Sequence, residues 1–412
     1  MKYFKIYILA LAALFTVSCD QFSDVSSVGK VEYISSSLKI KASVPAGVTP
    51  PSSYLVKFNN YAESYFFELT TDENGYLDVK DRIIPGIYTV TVSAEVNTNN
   101  FTYNFNGNLV NVDILENNTQ LEVEVQAAKS GNLVLKELYY CGSRTPNKGT
   151  YFRDQYYEIY NNSEVVQYAD NLCIGTMMPL TATANLPVWP GDDADKYVYF
   201  AAIWQIQGSG KDYPIQPGES ILISQMADNH QVENLNPTSP VNLISSEFET
   251  YVKSTSIIKD NPAINMEWVF YQNKTAQWLA SVFGCAYAIF YPDGTIDRED
   301  YISPVGQSTK AYKIDIDLIV DAVELVHDET KIKLKRVPAI LDAGATTVGA
   351  TYCSKSVSRK IKETKPDGRH IYMDTNNSSE DFVLNETPVL RRNGAKIPSW
   401  NTWWNLDPTI NN

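Results

Sequence analysis

Histidine is scarce. The 412-residue chain has 3, at His230, His327 and His370, far apart and without a metal-spaced partner. That leaves no histidine pair for a metal site and no histidine-centred catalytic constellation. The 5 cysteines include no CxxC, so a zinc site has no support either. Positive charge is short: the formal net charge is -14. Nucleic acid and anionic membrane surfaces both require a positive field, so neither is an expected partner. Long apolar runs are missing as well. The longest, residues 6–15, falls well below the ~20 residues a membrane-spanning helix needs. Helical periodicity is sparse throughout.

Catalytic motifs begin and fail. Gly218-Glu219-Ser220 opens like a nucleophile elbow, but Leu222 stands where the second glycine belongs. Gly208-Ser209-Gly210-Lys211 looks like a phosphate loop, but Gln205 and Asp212 break the Walker pattern. Asp192, Asp193 and Asp195 follow Pro190-Gly191, and Asp293, Asp297, Glu299 and Asp300 surround a Pro-Asp-Gly turn. Both groups read as solvated loops, with calcium as the alternative. Paired carboxylates hydrolyse glycosides at separations of about 5 to 10 Å, which sequence does not reveal. No catalytic residue, metal ligand or cofactor site is therefore assigned.

What the chain does contain is strand alternation punctuated by turns. Residues 38–44, 54–58, 87–92 and 121–125 alternate apolar and polar side chains. Asn59-Asn60, Asp72-Glu73-Asn74-Gly75, Pro85-Gly86 and Asn117-Asn118 separate them. Residues 156–174 alternate around an Asn-Asn-Ser turn, the pattern of a half-buried hairpin. Length and pattern together predict an all-β chain of two domains. The expected units are a signal peptide at 1–18, a tether at 19–29, domains at 30–127 and 131–394, which the resemblances given below imply are β-sandwiches with an insert in the second at 225–308, and a Trp-rich tail at 395–412.

The N-terminus has Lys2 and Lys5 before its apolar run, then Thr16-Val17-Ser18-Cys19. This fits a secretory signal peptide. The placement of Cys19 resembles the bacterial lipobox, though Thr16 departs from the usual leucine or valine. The resemblance implies that Cys19 is diacylated and becomes the first mature residue. Several acyl chains give stable anchoring, at about 0.8 kcal/mol per buried methylene.

Two further resemblances concern the sandwiches. Thr71-Asp72-Glu73-Asn74-Gly75 followed by Ile84-Pro85-Gly86-Ile87-Tyr88 resembles prealbumin-like and collagen-binding B-type modules, which act as stalks. Glu158-Ile159-Tyr160-Asn161, residues 215–223, residues 316–323 and residues 374–382 occur in the order found in lamin-tail domains, which are immunoglobulin-like sandwiches. Four cysteines follow the leader, allowing three pairings in an exported chain. Cys141–Cys173 is preferred, because these two residues end the first strand and sit in the third strand of the second sandwich. Buried free thiols are the alternative.

Together these resemblances imply an outer-membrane lipoprotein, with the outward-facing leaflet left open. Its expected role is non-catalytic capture of a ligand or partner, accessory to a TonB-dependent transporter or directed at a surface glycan. Two other classes stay open: a hydrolase with its site in 225–308, and a structural or adhesive component. Trp400, Trp403 and Trp404 are the candidate binding residues. Three tryptophans in one tail must either pack on the domain or await a partner. At least one is expected to be substantially exposed.

Overall fold

The structure is a computed structural model and describes residues 32–406 except 46, 98–101, 254–258, 273–276 and 279. The leader and Cys19 lie outside the described residues. The chain is all-β, as the alternation predicts.

Seven strands form the first sheet: β1 (Ile34–Ser43), β2 (Leu55–Asn60), β3 (Tyr65–Thr70), β4 (Tyr76–Ile83), β5 (Gly86–Asn97), β6 (Thr102–Ile114) and β7 (Thr119–Lys129). Their hydrogen-bonded order is β3-β2-β5-β6-β7-β1-β4. The end strands β3 and β4 are consecutive in sequence, joined by residues 71–75 alone. Laid flat, the two ends would stand about 29 Å apart at strand spacing, beyond the roughly 20 Å that this linker spans. The sheet therefore curls over and encloses its own core. Val56, Phe58, Val90, Val92, Val123 and Val125 fill that core, each fully buried. Asp72 makes the connecting turn: its carboxylate accepts from the Asn74 and Tyr76 N–H groups. Gly75 takes φ +71°, which a side chain would resist.

The remainder packs two sheets face to face. One runs Ile264–Asn265, Phe248–Glu249, Ser220–Ser224, Tyr156–Asn161, Leu133–Tyr139, Ser356–Arg359, Phe382–Asn385. The other runs Glu267–Tyr271, Tyr197–Gln205, Cys173–Met177, Ala286–Phe290, Ile319–Val326, Thr346–Thr347. Leu135, Tyr157, Ile159 and Ile223 meet Ile174, Trp204, Tyr287 and Leu325 between them. Tyr157 and Tyr287 also share a hydroxyl hydrogen bond of 2.9 Å.

Three expectations change here. Residues 156–174 are not a hairpin. Tyr156–Asn161 pairs with Leu133–Tyr139 and Ser220–Ser224, whereas Gln167–Tyr168 pairs with Pro214–Ile215. Nor is the first of these strands half-buried: all six residues are buried, because the chain beyond Tyr372 covers its second face. Residues 225–308 are more than an insert, since Ala286–Phe290 sits inside the second sheet between Cys173–Met177 and Ile319–Val326. The lamin-tail-like stretch 374–382 is a bend followed by a four-residue helical turn, Ser378–Asp381, with only Phe382 in a strand. Its Asp381 carboxylate accepts from the Thr375 backbone and hydroxyl, and Arg359 reaches Asp321, Asp374 and Asp381 together.

Candidate ligand-binding site

After its last sandwich strand, Phe382–Asn385, the chain crosses the outer face of the sheet: the Val389 N–H and Arg392 bond Glu137, and Ala395 packs on Val134 and Tyr160. Arg391, Asn393 and Gly394 all take positive φ, which bends the backbone sharply. Lys396 then bonds to the edge of Ser220–Ser224, donating to Gly218 and accepting from the Ser220 N–H. Asn401, fully inside, fastens the tail. Its amide donates to the Ser245 carbonyl and to Glu247, and its carbonyl accepts from the Trp403 N–H.

Glu247 is the hub beneath this tail. It accepts from the Leu222 N–H, from Asn401 and from Arg391 Nη2. Burial raises its carboxyl pKa, and the Arg391 charge and these hydrogen bonds oppose that rise. Arg391 is itself 8% exposed, and its Nε and Nη1 have no hydrogen-bond partner.

Between the tail and residues 240–242 lies a cavity of about 720 Å³, within the range of small-molecule sites. Trp404, Arg391, Lys396, Asn401, Asn242 and Gln231 contribute to its wall. Pro240, Pro388 and Pro398 add rigid apolar surface.

The three tail tryptophans separate. None is substantially exposed; each is half-buried. Trp400 packs against Tyr213 and Phe248, with ring centroids 5.2 and 5.8 Å away, and donates to the Pro214 carbonyl. Trp403 donates to the Ser246 carbonyl. Trp404 lines the cavity. The segment ends in a 3-10 turn, Trp404–Leu406, and not in a strand. Sequence reasoning missed Glu247, Arg391 and Asn401. Nothing in residues 245–250 marks Glu247 as special; the Arg391-Arg392 pair after the last strand was the available signal.

The expected pairing of Cys141 with Cys173 is corrected. The two thiols are buried in different clusters, on opposite faces of the second sheet, and both are free. Cys141 instead lies 3.5 Å from Cys353, sulfur to sulfur.

The rejected motifs have local explanations. In the loop 208–213, the Gly210, Asp212 and Tyr213 N–H groups all donate to the Asp170 carboxylate. An internal anion thus fills the nest that a phosphate would need. Ser220 is a buried strand residue, and Glu219 closes its own turn by accepting from the Gln216 N–H. His230 is buried, with Nε2 on the Met226 carbonyl and Nδ1 on the Tyr151 hydroxyl. Among the described residues, no group of three or more His, Cys, Asp or Glu is placed to hold a metal ion. No described helix is long and apolar enough to cross a membrane.

The profile of a family described as "Protein of unknown function (DUF4876)" matches residues 216–389. That span includes one cavity wall and stops just before Arg391. The crystal structure of a DUF4876 family protein from Bacteroides thetaiotaomicron VPI-5482 is similar at 42% identity and TM-score 0.64. The alignment covers 89% of this chain and 99% of that one. An adhesin candidate from Bacteroides ovatus ATCC 8483 aligns over 69% of this chain and 83% of its own. Its 8% identity and TM-score of 0.18 carry no argument. No curated protein matches the chain.

Proposed function

The chain belongs to the DUF4876 family, whose function is not established, and from that premise we propose that it is a lipid-anchored, non-catalytic binding protein whose ligand site is the cavity closed by its C-terminal tail. The observation that carries this reading is the tail itself. Its buried Asn401 and two of its tryptophans are spent on fastening it. The third tryptophan is left on the wall of a ligand-sized cavity. Aromatic surface beside convergent amide groups is the usual make-up of a binding pocket.

The remaining parts fit around that site. Cys19 is the acylation point, and residues 20–29 tether the fold to the outer membrane. The first sandwich, resembling prealbumin-like modules, acts as a spacer, and the lamin-tail-like second sandwich presents the cavity. A binding protein held this way is suited to hand its ligand to a TonB-dependent transporter.

Two measurements test the reading. Isothermal titration of the full chain against soluble oligosaccharides should give binding that Trp404→Ala weakens at least tenfold, with Tm unchanged within about 2 °C. Unaltered binding by the variant would move the site elsewhere. Separately, Cys19→Ala should shift the protein from the membrane fraction to the soluble fraction, because the acyl chains supply the attachment. Full membrane retention would remove the anchor from the proposal.

A further inference from the structure

We propose that the cavity is selective for an acidic saccharide, its carboxylate held by Arg391 and Lys396 and its ring stacked on Trp404. The inference rests on the binding-site reading above and adds the chemical class of the ligand.

Charge is the first argument. The chain carries 48 acidic against 34 basic residues. The cavity wall runs the other way: Arg391 and Lys396 line it, and no Asp or Glu does. A cationic wall on an anionic protein focuses attraction for an anion on one place.

The second argument is the state of Arg391. Its Nη2 is bound from behind by Glu247, whose side chain is fully buried and already accepts from Leu222 and Asn401. Nε and Nη1 have no partner although the residue is more than nine-tenths buried. Buried donors without acceptors are uncommon and costly. The guanidinium is charged at every accessible pH and prefers planar carboxylates. Both atoms are closed off from solvent beside the cavity wall, so a ligand carboxylate supplies the missing acceptor once a shift of the Arg391 side chain opens them to the cavity.

The third argument selects a sugar over a peptide. Gln231, Asn242 and Ser399 give the wall short polar groups suited to hydroxyls, and Trp404 gives it a flat apolar face. A peptide captured as an added strand needs an open strand edge. Here the wall is broken by Pro240, Pro388 and Pro398, which lack the N–H that such pairing uses.

The test uses the full chain and chemically matched probes. Oligosaccharides of galacturonate, of mannuronate and guluronate, and of alternating glucuronate and N-acetylglucosamine are titrated against their methyl esters. The ester keeps the shape and removes the charge. At least one uronate should bind, its ester at least tenfold more weakly, and raising salt from 50 to 500 mM should weaken only the acid. Lys396, whose side chain is solvent-exposed, is changed in Lys396→Glu, which should cost at least fivefold in affinity with Tm unchanged. Arg391→Ala is avoided because it strands Glu247 as an unpaired buried charge. Acid and ester binding equally would overturn the charge selectivity and leave the binding site standing. Binding of neutral sugars only would do the same. A carboxylate-ended peptide binding more tightly than every uronate would overturn the saccharide class. Absence of binding across the whole panel, with Trp404→Ala also silent, would remove both the inference and the site.

Discussion

Cys353 sits half-buried, with Cys141 fully enclosed beside it. The shared hydrogen bond holds the Cys353 thiol below its ordinary pKa and, together with burial, raises that of Cys141. Burial alone is the main cause of the rise at Cys173 and Cys285. Because the thiolate is the reactive form, iodoacetamide at neutral pH should modify Cys353 first and leave the other three until the protein unfolds. After treatment with diamide, peptide mapping should recover a 141–353 crosslink and no 141–173 crosslink. Equal labelling of Cys173 would mean that the second sheet is far looser than its packing implies. A buried histidine makes a pH prediction. Burial lowers the His230 pKa to about 4. A depressed histidine is neutral in the fold while the unfolded chain takes up a proton near 6.5. Its contribution is therefore complete above pH 6.5 and is lost as the pH falls toward 4, amounting to about 2 kcal/mol by pH 5. Asp154, raised by burial to about 6, acts in the opposite sense over the same window. His230→Gln can keep both hydrogen bonds, so it should lose about 2 kcal/mol less than the wild type between pH 7.5 and 5 in urea melts. An identical pH slope for the two proteins would contradict the buried neutral ring.

At the scale of elements, the central strands of the second sandwich carry charge inside. Lys136 and Glu158 lie on neighbouring strands, both side chains fully buried, with Nζ 2.9 Å from each carboxylate oxygen. Removing one partner strands the other. Glu158→Leu should therefore cost about 3 to 5 kcal/mol, measured by denaturant unfolding. Lys136→Met combined with Glu158→Leu should recover most of that loss. A double variant as unstable as the single one would mean that the pair does more than neutralise itself. This pair also explains where the sequence misleads. Glu158, set between Tyr157 and Ile159, reads as part of an outward face, yet it and Asn161 at the strand's end are both inside. Glu158 meets Lys136, and Asn161 donates to the Val165 and Ile215 carbonyls. Lys136 is on another strand and Ile215 is 54 residues from Asn161, so periodicity does not reveal these partners. The first sheet was legible because its alternation is genuine: along β7, positions 121, 123 and 125 are buried and 120, 122 and 124 are less so or exposed. The candidate site was legible only in part. Trp404 announced itself by composition, whereas Arg391 and Glu247 are 144 residues apart and meet only through the fold.

At the scale of the molecule, the first sandwich is not a bead on a loose string. On the strand β6, Asn104, Asn106 and Asn108 recur at the two-residue spacing of one face. Their amides donate in turn to the Asp374, Thr375 and Ala343 carbonyls. Lys57 reaches Glu380 at 2.6 Å, and Lys362 reaches Glu95 at 2.9 Å. The junction in the chain is short and tight. β7 runs to Lys129, past the expected end at 127, and the next strand begins at Leu133. A Cβ added at Gly131 would stand 2.3 Å from the Val320 carbonyl oxygen. The sequence predicts an open, protease-sensitive boundary at 127–131; in the structure these contacts cross it, while the segment itself is half-buried to exposed. Buried amide bonds of this kind contribute about 1 kcal/mol each, enough in sum to couple the two cores. Calorimetry of the wild type should accordingly give one cooperative transition, and mild trypsin should leave 127–131 uncut. Replacing Asn104, Asn106 and Asn108 together by alanine should split the melt in two and open that segment to cleavage, while leaving ligand binding unchanged, since none of the three lines the cavity. If the wild type already melts in two separate steps, the asparagine ladder is a contact without coupling, and the first sandwich serves as an independent spacer.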